Sequence, residues 1–270
     1  MKRKLGINCD CYEGIAETEM LELIKKVGFQ SFFIGPKFLK DKIASLKAKA
    51  DELGLEFLFI HAPFGNINAM WLPGEDYLEV YKGMVETIDL AAEYGVPYVV
   101  IHASAGWTVP PISEVGLERY DILMAYAAEK KVVIAVENSR VIGNLAYFTE
   151  RYENNDYVRF CYDCGHEHCF TKTVKWMDIF CDRMVVTHIH DNFGRGAEKV
   201  GEVDLHLLPY DGNIDYVSMM RKLDEYAYEG ALMLEVFAHK YEMYLKMSPE
   251  EFVRTAYERI HKVAGLVYLR

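Results

Sequence analysis

The chain has 270 residues, 51% of them hydrophobic, which supplies a sizeable buried core and argues against global disorder. Lys and Arg number 30 against 41 Asp and Glu, a formal net charge of −11, the wrong sign for a broad nonspecific nucleic-acid surface. The opening MKRKLGINCDC lacks the apolar segment of a signal peptide, and no run of 18 apolar residues follows. A cytoplasmic protein without a membrane segment is therefore expected, with Cys9, Cys11, Cys161, Cys164, Cys169 and Cys181 as reduced thiols.

Short β-rich runs alternate with helical stretches along the whole length. KLGINCD (4–10) is the first predicted strand, followed by ETEMLELIKKVG, which spaces Met20, Leu23, Ile24 and Val27 on one helical face and ends at Gly28. SFFIGP (31–36) precedes DKIASLKAKADELG, and EFLFIHAP (56–63) precedes YKGMVETIDLAAEYG, helices closed by Gly54 and Gly95. Further strands are predicted at YVVIHAS (98–104), VVIAVEN (132–138), VRFCYDC (158–164), MVVTHIHD (184–191) and ALMLEVF (231–237). The last helix, SPEEFVRTAYERIHKVAG, has a Ser cap, Pro at its first position and Gly265 at its end. Eight β-then-α units in this length predict an α/β fold, a (β/α)8 TIM barrel forming a single domain over 1–270. A doubly wound sheet is disfavoured because no GxGxxG or P-loop follows the first strand.

In such a barrel the active site lies at the C-terminal ends of the strands, and here those ends carry metal-ligand types. They are His61, His102, Glu137, Asp163 with His166 just beyond, His188 and His190, and Glu235; the loop after the seventh strand adds Asp204 and His206. One such residue would most often be a satisfied hydrogen-bond partner. Convergence makes the case, because carboxylates crowded at one barrel mouth repel unless cations neutralise them. Imidazole and carboxylate donors suit Zn, Mn, Fe or Co. The stretch FCYDCGHEHC (160–169) is not expected to be a thiolate zinc module, since no second ligand pair stands at suitable spacing.

The motifs IHAPFGNIN, VVIHAS, AVENS, YDCGH, HIHDN, DLHLLPYDGNIDY and LEVF occur in order over residues 60 to 237. Together they resemble the xylose-isomerase-like TIM barrels, which include sugar phosphate isomerases and epimerases and the endonuclease IV type of nuclease. The resemblance implies a divalent metal, Zn or Mn foremost, as one to three ions. On the nuclease pattern, His61, His102 and Glu137 form one site. Glu137, Asp163, His188 and Glu235 form a second, and His166, Asp204 and His206 a third. On the epimerase pattern only the second holds metal, and His166 contacts substrate. Aligned on HIHD, His188 is the family ligand and His190 is left to orientation or substrate contact.

Two reaction classes follow from the resemblance. In the first, Glu137 and Glu235 flank a small sugar and exchange a proton beside its carbonyl, with the metal stabilising the enediolate. His166, His190 and Arg195 would hold substrate oxygens, and Phe64, Trp71 and Trp107 would wall the pocket. In the second, the metals activate water against a phosphodiester at abasic DNA sites. The first is favoured, because Lys37, Lys40, Arg140, Lys172, Arg195 and Lys199 are interspersed with Glu75, Asp76, Glu167, Asp191, Glu198 and Glu202 rather than forming a basic stripe. A lyase using the same enolate chemistry, and a barrel that binds without turnover, are the remaining alternatives. The expected partner is a small-molecule sugar; association into a homo-oligomer is left open.

Overall fold

The computed structural model describes residues 3–36, 40–196 and 203–266, with the backbone alone at 40–41. Lys37, Glu198, Lys199 and Glu202 lie outside the described residues, as does the side chain of Lys40. Eight parallel strands form a nearly closed barrel: β1 (Leu5–Asn8), β2 (Ser31–Ile34), β3 (Glu56–His61), β4 (Tyr98–His102), β5 (Val133–Glu137), β6 (Val158–Asp163), β7 (Met184–His188) and β8 (Leu232–Leu234). Neighbours in sequence are neighbours in space, and β1 also pairs with β8. The seam between β7 and β8 is closed just past β7. There Ile189 N donates to Met233 O (2.7 Å) and Glu235 N donates to Ile189 O (3.1 Å).

Each strand buries both faces, which explains its continuous apolar sequence. Phe33, Phe59, Val100, Ala135, Cys161, Val186 and Met233 fill the barrel interior, while the alternate residues pack under the surrounding helices. The helix Glu17–Val27 buries Met20, Leu21 and Ile24, whereas Leu23 and Val27 are half-buried. Its apolar face is thus turned toward Leu21 from the expected stripe, because the sheet lies under that edge. Gly28 ends it at φ 117°, and a Cβ there would meet the Tyr257 ring at 2.9 Å. The closing helix Pro249–Ala264 carries a reciprocal cap. Ser248 Oγ accepts from Glu251 N (3.3 Å), and the Glu251 carboxylate accepts from Ser248 N (2.7 Å). Gly265, at φ −90°, ends this helix where expected.

Two asparagines tie strand ends together from both amide atoms. Asn8 at the end of β1 donates to Val236 O (3.0 Å) and accepts from Val236 N (3.0 Å). Asn138, just past β5, donates to Asp163 O (2.8 Å) and accepts from Asp163 N (2.8 Å). These bonds fix the C-terminal rim where ordinary ladder pairing runs out. Among the described residues no helix is long and apolar enough to cross a membrane.

The Ser248 cap gives a direct stability test. Ser248→Ala is expected to lower unfolding free energy by about 1 kcal/mol, read as a lower urea midpoint at unchanged m-value.

Candidate metal centre

Strand geometry delivers the donors. His61, His102, Glu137, Asp163 and His188 are each the last residue of their strand, and Glu235 follows β8 by one. Among the described residues three clusters of imidazole and carboxylate donors result, each with donor atoms mutually within 4.8 Å: His61, His102 and Glu137; Glu137, Asp163, His188 and Glu235; and His166, His190, Asp204 and His206. Glu137 links the first two. Its Oε2 lies 3.2 Å from His61 Nε2 and 3.0 Å from His102 Nε2, while Oε1 lies 3.0 Å from His166 Nδ1 and 3.3 Å from His188 Nδ1.

Backbone carbonyls set the orientation of the rings. A carbonyl can only accept, so His61 Nδ1 donates to Ala62 O (2.8 Å), His166 Nδ1 to Asn138 O (2.8 Å) and His206 Nδ1 to Glu235 O (3.0 Å). Each ring then turns Nε2 inward: toward Glu137 for His61, and toward Asp204 for His166 (3.1 Å) and His206 (3.4 Å). This is how metal-binding imidazoles are commonly held. Asp163 caps the short helix Cys164–Cys169 by accepting from His166 N (2.6 Å). Its carboxylate also stands 3.2 Å from His190 Nε2 and 3.7 Å from His188 Nδ1.

Charge balance in the cluster is tight. Burial pushes the Glu137 carboxyl up, but His188, His102 and His166 bring it well below the usual range. Burial likewise opposes ionisation of Asp204, and His206 and His166 outweigh it. Burial disfavours charge on His166, yet Asp163, Asp204 and Glu137 hold its pKa well above the ordinary value; His206, against the same burial, is pushed up to about 9 by Asp204 and Glu235. Without a cation, then, charge on His166, His188 and His206 is favoured by the carboxylates, whereas burial holds the His102 pKa below the ordinary value. With one, the same rings serve as neutral ligands and release their protons.

The donors fit a divalent ion. Glu137 Oε1, His188 Nδ1 and Asp204 Oδ1 are buried without a hydrogen bond of good geometry. His188 Nδ1 stands 3.3 Å from both Glu137 Oε1 and Glu235 Oε2. Ligands about 2.1 Å from a tetrahedral ion stand roughly 3.4 Å apart, so this spacing suits a shared cation. Cys161 Sγ also stands with Glu137 and His188 within ligand reach, and burial pushes its thiol up to about 12. Cys161, Cys164 and Cys169 are all buried free thiols.

Above the cluster opens a cavity of about 300 Å³, walled by Phe33, Phe64 and Phe237 and reached by Arg140, His239 and Lys240. Phe64 lies flat on His102, centroids 4.4 Å apart. Trp71 does not reach the cavity: it is buried against Tyr120 and donates Nε1–H to Ala103 O (2.8 Å). Trp107 is 55% exposed outside the wall, with the Arg195 guanidinium 5.2 Å over its ring. Arg195 and Trp107 therefore cover one another instead of the cavity. Glu167 accepts from Trp176 N and Lys175, and His168 Nε2 lies 2.7 Å from Asn213 Oδ1, so both are engaged away from the clusters.

Sequence reading missed Asp10, Phe33, Phe237, His239 and Lys240, which follow or sit in strands whose ends carry no obvious ligand motif, or lie beyond one that does, and it counted Arg140 only among scattered cations. It likewise counted Asp191 only among scattered acids. That buried carboxylate accepts from Asn192 N (2.9 Å), Tyr210 N (2.8 Å) and Ile214 N (3.1 Å), pinning the loop that carries Asp204 and His206.

Residues 21–262 match the sequence profile of the xylose isomerase-like TIM barrel family. A curated relative, the uncharacterized protein y4fM of Sinorhizobium fredii, is 30% identical over 191 residues; the match spans 66% of this chain and 56% of that protein, little more than half its length. Among solved structures, D-psicose 3-epimerase from Clostridium cellulolyticum H10, crystallised with D-tagatose, superposes at TM-score 0.76 with 14% identity, covering 97% of this chain and 98% of that one. The E. coli 3-keto-D-glucoside 4-epimerase YcjR superposes at 0.73 with 17% identity, over 96% and 99% of the two chains. An IolI protein with a bound zinc atom superposes at 0.76 with 20% identity, over 96% and 97%. At these identities the structural matches speak to the fold.

A Cβ on Gly165 would lie 1.9 Å from His190 Cε1. Gly165→Ala is expected to push His190 from Asp163 and Asp204. The rise in Tm on adding Zn or Mn to chelated protein should then fall below about half the wild-type gain, as binding free energy adds to stability.

Proposed function

The chain belongs to the xylose isomerase-like TIM barrel family, and from that premise we propose that it is a metal-dependent sugar isomerase or epimerase. The observation that carries this reading is the joining of a small aromatic-walled cavity to two carboxylates on one donor cluster. A space of about 300 Å³ bounded by Phe33, Phe64 and Phe237 suits a monosaccharide and is too small for a nucleic-acid duplex.

Glu137, Asp163, His188 and Glu235 would hold the ion. A divalent ion there supplies Lewis-acid polarisation of the sugar carbonyl and its neighbouring hydroxyl. The two glutamates differ in what they can do. Glu137 is 1% exposed and surrounded by His61, His102, His166 and His188, the last three of which lower its basicity. Glu235 keeps 13% of its side chain exposed toward the cavity and has fewer imidazole neighbours, His188 and His206. We assign Glu235 to remove the proton from the carbon beside the carbonyl. In the epimerase direction a proton taken up from solvent is returned to the opposite face from the side of Glu137, across the cavity floor on β5. His166, whose Nε2 faces Asp204 at the edge of the cavity, holds a substrate hydroxyl.

One observation favours a second reading: the His166, His190, Asp204 and His206 group is complete, as a three-ion phosphodiesterase would require. Incision of an abasic-site duplex that rises with metal occupancy, with no proton exchange into any sugar of a panel, would establish it in place of the first.

Under the sugar reading, Glu235→Gln should slow solvent-deuterium incorporation into a ketose or aldose that the wild type turns over. The expected loss is at least about 100-fold, with Tm and circular dichroism retained. Unchanged incorporation would remove Glu235 from its role.

A further inference from the structure

The cations at the cavity mouth carry information about the substrate that the metal donors do not. Arg140 stands three residues past Glu137, half-buried, with its guanidinium 4.1 Å from the Phe170 ring centroid. Stacking uses the π-face of the ring and leaves the five N–H donors in the guanidinium plane available. Among the described residues no acceptor takes them. Arginines elsewhere are engaged: Arg3 with Asp224, Arg119 with four backbone carbonyls, Arg151 with Asp121, Arg159 with Asp156 and Arg259 with Asp211. In a chain with 41 acidic and 30 basic residues, an unpaired half-buried guanidinium facing a cavity is a donor array waiting for an acceptor.

A second cation borders the same space. Lys240, past β8, stands 5.1 Å from the Phe237 ring centroid, and among the described residues no carboxylate pairs with it. Asp10 also borders the cavity, but it accepts from Asn8 Nδ2 (2.9 Å) and belongs to the β1 side. The floor is occupied by the metal donors, so an anionic group could not sit there without meeting Glu137 and Glu235. The mouth is where an anion is favoured.

We propose that Arg140 recognises an anionic group on the substrate, a carboxylate or a phosphate remote from the reacting carbons, and that Lys240 strengthens the field there. The inference rests on the sugar reading and narrows it to anionic sugars. A planar fork is suited to either oxyanion, which is why Arg140 and not Lys240 is assigned the selective contact.

The test is calorimetric binding of three probes with a common backbone, D-fructose, D-fructose 6-phosphate and D-fructuronate, to the zinc-loaded full chain. At least one anionic probe should bind about tenfold or more tightly than fructose, and the better of the two identifies the oxyanion. Arg140→Met should abolish that preference while changing the fructose Kd less than about twofold; Arg140→Lys should restore part of it. Fructose bound as tightly as both anions, failure of both anions to bind, or a preference that survives in Arg140→Met would overturn the proposal. Deuterium exchange into the same probes separates the two claims. Exchange into fructose without anion preference leaves the isomerase reading and removes this one; Arg140-dependent anion preference without exchange does the reverse.

Discussion

Four carboxylates, Glu137, Asp163, Asp204 and Glu235, converge on the C-terminal mouth of one barrel, and they cannot remain ionised there without positive charge among them. Everything distinctive about the chain serves that requirement. Six histidines surround the acids, their rings turned by backbone carbonyls or by contact with one another; His190 and His206, for example, stack at 4.0 Å. Imidazole is suited to the task because it supplies charge as imidazolium and a lone pair when a cation takes over.

Holding such a cluster demands a rigid rim. The sheet ladders stop at the strand ends, so side-chain amides continue them: Asn8 bridges β1 to β8, and Asn138 bridges β5 to β6. Asp191 performs the same service for the excursion between β7 and β8, accepting three backbone N–H groups and so locating Asp204 and His206. None of these three side chains lines the cavity, yet donor positions depend on them.

The barrel was legible in the sequence because parallel strands buried on both faces leave continuous apolar runs, and because glycine or a Ser-Pro pair punctuates the helices. The candidate donors were legible only collectively: one polar strand end such as Glu137 after VVIAV is most often a hydrogen-bond partner, but ligand types at the end of strand after strand point to one shared site. What sequence could not give was direction in space. His190 shares a strand side with His188, and only the fold shows it joining His166, Asp204 and His206. Aromaticity was a poor guide to the wall, since Trp71 is drawn into the core by Tyr120 and its bond to Ala103, while Phe33 and Phe237 line the cavity from within strand-like runs. Arg195 was the arginine singled out for substrate, with Arg140 only one of several loop cations; Trp107 takes up the first, and the cavity receives the second.

The central claim is that a divalent cation completes the carboxylate–imidazole cluster. Elemental analysis of the protein purified without chelator tests it most directly. We expect at least one equivalent of Zn, Mn, Fe or Co per chain, lost when Glu137 and His188 are replaced together by Ala. Well under one equivalent in protein that is folded and stable, with no uptake on dialysis against these ions, would contradict it.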